Sequence, residues 1–143
     1  MNYLKWPHKR AIGCSYCLDQ SPGAERWGGL TVTIRWRAGE RGTIVGTATS
    51  FRAGESLEKS LILGLSKVAE EGLREGAREL SVNLDEFDIT LSDFAYHPVD
   101  SRGEIYRDSA RSAFRSAWEA WDRWYSASAE ARKRQHALRG EES

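Results

Sequence analysis

Cysteine is nearly missing from this sequence: Cys14 and Cys17 are the only two in 143 residues. Two cannot make a disulfide scaffold, and in the cytoplasmic setting expected here thiols stay reduced. Net charge is missing as well. The 21 Lys and Arg balance 21 Asp and Glu, which removes the basic excess of a typical DNA-binding domain. No apolar run approaches the roughly 20 residues of a membrane helix, and the start, Met1-Asn2-Tyr3-Leu4-Lys5-Trp6-Pro7, has no apolar signal-peptide core. The expected setting is therefore cytoplasmic, with no membrane partner. What is present suffices for a core: 40% of residues are hydrophobic, 10% aromatic and 29% charged, which excludes wholesale disorder. The length suits one domain.

Charge is unevenly spread. Residues 1–50 carry seven Lys/Arg against three Asp/Glu, residues 51–100 five against eleven, and residues 101–143 nine against seven. A nucleic-acid surface is thus expected on the first strands or the C-terminal segment.

Apolar spacing predicts the elements. Ile12, Cys14, Tyr16 and Leu18 alternate with smaller or polar neighbours, and Leu30, Val32, Ile34 and Trp36 alternate with Thr31, Thr33, Arg35 and Arg37. Two half-buried strands follow, joined by a turn-rich loop over 21–29. A third strand is expected over Thr43 to Phe51, the three forming a meander. From Leu57 the spacing becomes helical through Leu61, Leu65, Val68 and Leu73, ending near Gly76. Phe87, Ile89 and Leu91 predict a fourth strand. A second, long helix follows, capped by Asp100 or Ser101, with a broad stripe from Ile105 through Ala113, Phe114 and Trp118 to Trp121, Trp124 and Tyr125. Run to Lys133, it would be about 45 Å long at about 1.5 Å per residue, so its last turns should project. The fold class is therefore α+β: a four-stranded sheet in the order β-β-β-α-β-α, with two helices on one face. Residues 1–125 form the domain, and 126–143 a helix extension and charged, fraying tail.

Three stretches carry a resemblance, one of them Leu57-Glu58-Lys59 through Leu73, at the place of a first long helix. Asp19-Gln20-Ser21-Pro22-Gly23-Ala24-Glu25-Arg26-Trp27-Gly28-Gly29-Leu30 is similar, without a gap, to the first loop of domain IV of elongation factor G and the ribosomal protection proteins, keeping Gln20, Ser21, Gly23 and Gly28. Ile89 through Ala95-Tyr96-His97-Pro98-Val99-Asp100-Ser101 resembles that family's strand and second loop. The first loop departs in having Ala24-Glu25-Arg26 at its centre, Pro98 follows the loop histidine, and Gly29 opens the second strand. The resemblance covers roughly residues 8 to 118 and implies a freestanding domain with the ribosomal protein S5 domain 2-like fold. It also implies a two-loop tip that meets the ribosome or structured RNA. No Gly-x-x-x-x-Gly-Lys-Ser/Thr phosphate loop occurs and the chain has no length for a GTPase domain, so nucleotide hydrolysis does not carry over.

On that resemblance Gln20, Ser21, Gly23, Arg26, Tyr96 and His97 are the candidate RNA-binding residues. An aromatic stacks on bases, an imidazole hydrogen-bonds ribose or phosphate, and Arg neutralises phosphate. The alternative is that Tyr96 packs inward and His97 is an ordinary loop residue. Cys14 and Cys17, three apart on a strand, point to opposite faces and lack further ligands, so no metal is expected. Nor is any cofactor. Ser101, His97 and Asp100 lie too close in sequence for triad geometry, and no enzymatic activity is expected. Trp118, Trp121, Trp124 and Tyr125 have two readings: they complete the core, or they anchor a protein partner or second copy in a module that has lost RNA binding.

Overall fold

Alternating Leu30, Val32 and Ile34 make β2 (Arg26–Trp36) the strand around which the sheet is built. The computed structural model describes the backbone of residues 10–19, 21–23, 25–37, 42, 44–46, 59–96 and 101–139, and their side chains except at 44–46, 59 and 128–139. On one side of β2, β1 (Arg10–Asp19) pairs antiparallel in unbroken register, from Arg10 opposite Arg35 to Asp19 opposite Arg26. On the other side β4 (Phe87–Ala95) pairs antiparallel, from Phe87 opposite Trp36 to Ala95 opposite Gly29, with a bulge between Gly29 and Thr31. These three antiparallel strands are the body of the sheet.

The expected meander is not what forms. A three-residue strand, β3 (Ile44–Gly46), lies parallel to β4 rather than against β2, giving the order β1-β2-β4-β3. Parallel neighbours need a crossover, and α1 (Lys59–Glu79) lies between β3 and β4 in the chain to supply it. Position β4 also suits its sequence: Phe87, Ile89 and Leu91 are all nearly inaccessible, as a strand flanked on both sides should be. The rest of the expected third strand, Thr43 and residues 47–51, lies outside the described residues, as does Leu57.

The first strand faces the other way from the sequence reading. Ala11 and Gly13 point into the core, while Ile12 is 53% and Leu18 40% exposed. The reason is proximity. The final helix, α2 (Gly103–Arg139), crosses β1 so closely that a Cβ on Gly13 would overlap the backbone of Ala113 and Ala117. Only small residues fit that face, so the larger ones turn to the open side.

Helix α1 runs one turn past Gly76. Its end is set by Ser81, at φ 56°, with the Ser81 N–H bonded to the Arg78 carbonyl and the Val82 N–H to the Ala77 carbonyl at 2.8 Å, a Schellman arrangement with serine in glycine's usual place. Gly72 and Gly76 instead face α2, where a Cβ on Gly72 would overlap the Arg107 carbonyl. Ile62, Leu65, Ala69 and Leu73 of α1 close the core with Tyr106, Ala110, Phe114 and Trp121 of α2 and the inner face of the sheet. At about 1.5 Å per residue the 37 residues of α2 span about 55 Å. The backbone expected to fray from Arg132 is helical to Arg139.

Candidate two-loop site

Register decides where the two loops lie. The first loop leaves β1 at Asp19 and enters β2 at Arg26, which pair with each other. The second leaves β4 at Ala95, which lies opposite Gly29, three residues into β2. Both loops therefore emerge from the same end of the sheet.

Three side chains tie that end together. Ser101 Oγ donates to the Trp27 carbonyl at 2.5 Å, joining the start of α2 to the start of β2. The Tyr106 hydroxyl donates to the Ala95 carbonyl at 2.5 Å, joining α2 to the end of β4. Burial pushes the Tyr106 phenol up to about 12, against an opposing hydrogen bond with Ser101. The Tyr16 hydroxyl donates to the Asp93 carbonyl at 2.7 Å and lies 2.9 Å from Thr31 Oγ1, spanning from β1 to β4. Burial raises its phenol too. Asp93, at φ 52°, holds a left-handed conformation just before the second loop.

Within the first loop the acidic groups are used locally. Asp19 accepts from the Ser21 N–H at 2.9 Å, which holds its carboxyl below the usual carboxylate range, and Glu25 accepts from the Gly23 N–H at 3.1 Å. Gly23 sits at φ +82° with open space where a Cβ would be. Backbone conformation, not crowding, demands glycine there. Ser21, Gly23 and Arg26 are exposed, and Arg26 has no ion-pair partner among the described residues. Tyr96 is half-buried, with its ring against the core. Gln20, His97 and Asp100 lie outside the described residues.

Ser101 makes a long-range bond that its place before a helix does not reveal. Its hydroxyl donates to the Trp27 carbonyl, and α2 starts two residues later with the Ile105 N–H bonded to the Arg102 carbonyl at 3.0 Å. Sequence reasoning gave no place to Tyr106 and Tyr16 as loop anchors. A tyrosine on an apolar stripe was the available signal, since a buried phenol must find a partner.

The aromatics of α2 gather at the opposite end of the sheet, where β2 finishes in Trp36 and β4 begins with Phe87. Trp121 is 4% exposed, its ring 5.6 Å from Phe87 and 5.9 Å from Trp36. Trp118 meets Phe87 edge-on at 5.9 Å, and Trp124 lies 4.9 Å from Trp121; both are half-buried. Tyr125 stacks on Trp121 and stays 43% exposed. Cys14 is exposed and Cys17 half-buried, both as free thiols. Among the described residues no group of three or more His, Cys, Asp or Glu could hold a metal, and no helix is long and apolar enough to cross a membrane.

No family model and no curated protein matches the chain. Among solved structures, a protein from Thermus thermophilus is similar at a TM-score of 0.47 and 20% identity over 73% of this chain, which spans 14% of that one.

Proposed function

We propose that this α+β domain is a cytoplasmic, non-enzymatic RNA-binding protein of translation. On this reading its partner is the ribosome or a structured RNA, held by the two-loop end. The observation that carries this is the convergence of the two loops, with Arg26 exposed where β2 begins and Tyr96 following the end of β4, on an end braced by Ser101, Tyr106 and Tyr16. Its chemistry is that of a brace with adaptable contacts. Arg26 neutralises phosphate, the half-buried Tyr96 offers the part of its ring that the core leaves uncovered, and Gln20, Ser21, Gly23 and His97 supply polar loop contacts. The mechanism is occupancy: a rigid end fills an RNA site, with no bond made or broken. The S5 domain 2-like fold of elongation factor G domain IV accommodates this arrangement, its two loops being the parts that resemble this sequence.

Cosedimentation with purified ribosomes at low and near-physiological salt tests the reading. Retention at both salts, weakened by Arg26→Ala, supports it. A chain that remains at the top of both gradients refutes it, and retention at low salt only reduces it to nonspecific charge attraction.

A second reading rests on Tyr125. The helix continues well past the core, and this tyrosine, exposed beside a tryptophan cluster, fits an anchor for a protein partner.

A further inference from the structure

β1 is an edge strand: its sheet neighbour among the described residues is β2 alone. Natural edges are usually blunted by Pro, Lys, a bulge or shortness, because an unpaired ladder is a template for another chain. β1 has none of these devices. It runs ten residues with neither Pro nor Lys and pairs with β2 without a bulge. On its open face stand Ile12, 53% exposed, Leu18, 40% exposed, and the exposed Cys14. Beneath it, α2 is lined by small residues: Ser116 sits beside Gly13, and Ser112 and Ala120, one turn to either side, share that flank.

We propose that this edge pairs with the same edge of a second copy, antiparallel about a two-fold axis normal to the sheet. One continuous sheet results, with the helices of both copies on one side. This is independent of what the two-loop end binds.

Symmetry restricts the register. A two-fold axis normal to the sheet keeps both open faces on the same side, so only residues of equal parity meet. With the axis at Ser15, Ile12 lies opposite Leu18 of the second copy and Leu18 opposite its Ile12, while Cys14 lies opposite its Tyr16. The two exposed aliphatic side chains then cover one another twice. Moving the axis to Cys14 puts Leu18 against Arg10 instead, and loses that match. The helix layer permits the approach: paired strands lie about 4.8 Å apart and packed helices about 8–10 Å apart, so the two α2 helices meet across Ser112 and Ser116 rather than across bulky side chains.

Light scattering on the full chain is expected to give twice the 16.1 kDa chain mass. Ile12→Lys with Leu18→Lys is expected to restore the single-chain mass, with the far-ultraviolet circular dichroism unchanged because both positions are exposed. A second experiment reads the register without relying on that variant. In chains carrying Cys14→Ser and Cys17→Ser, oxidation of mixed Ile12→Cys and Leu18→Cys proteins is expected to yield covalent dimers. Either protein alone should yield none, because like positions lie about 20 Å apart along the pair, six residues at about 3.3 Å each. A single-chain mass at every concentration, a dimer that survives the lysine pair, or cross-links from Ile12→Cys alone overturns the proposal.

Discussion

Adding one methyl group at three glycines of α1 should produce three different outcomes. At Gly64 nothing lies within 4 Å of a built Cβ. Gly64→Ala therefore gains helix propensity of about 1 kcal/mol with no opposing term. For a chain of this length that raises the melting temperature by about 3 °C. At Gly72 the same methyl would overlap the Arg107 carbonyl and crowd its Cα. A backbone carbonyl cannot rotate aside as a side chain can, so α1 and α2 must separate along their contact. Overpacking of this kind costs about 1–3 kcal/mol, and separation also loosens Ala69 and Leu73 from Ala110 and Phe114. Set against the same propensity gain, Gly72→Ala is expected to lose about 1 kcal/mol and about 3 °C. Gly76 is intermediate, its nearest atoms on Arg111 and Phe114 lying at 3.3 and 3.4 Å, and Gly76→Ala is expected to be near neutral. Thermal melts followed by circular dichroism, with urea midpoints as a second measure, give the ranking. If Gly72→Ala stabilises as much as Gly64→Ala, the two helices are not in backbone contact and the account of the core is wrong.

Trp121→Ala is expected to lose about 3–5 kcal/mol, as for a buried aromatic, and Tyr125→Ala less than about 1 kcal/mol; equal losses would mean that the cluster is packed differently. Tyr106 makes stability fall with alkali. Its phenol is raised from 10.0 to about 12, so the folded chain holds that proton more tightly, and its contribution is complete below about pH 10 and lost as pH rises towards about 12. Melts through this range should show a steeper decline for the parent than for Tyr106→Phe, with Tyr16 adding to the slope in both; parallel curves would place the phenol in water. Arg26→Ala combined with His97→Ala should weaken ribosome retention while shifting the melting temperature by no more than about 2 °C, and a large loss of stability would show that these positions hold the fold rather than a ligand.

Local pattern was enough for much of the chain. Period-2 alternation marks β2 and β4, and the three-to-four spacing marks both helices, because burying one side of a strand or helix constrains composition along its own length. The first loop was legible for a similar reason, as the left-handed conformation of Gly23 answers to local backbone geometry. Other features depended on partners distant in sequence. Ile12, Cys14, Tyr16 and Leu18 look like an inward face, yet α2 comes so close to β1 that only Ala11 and Gly13 fit beneath it. Gly76 looks like a helix end, yet it is where a second helix needs room, and Ser81 ends the helix instead. Ser101 also bonds out of its own neighbourhood, to the Trp27 carbonyl 74 residues away. Strand order was decided the same way, by a crossover that sets β3 beside β4. Periodicity reports which residues prefer burial, whereas the distance between packed backbones, set only when the layers meet, decides which side chains that burial has room for.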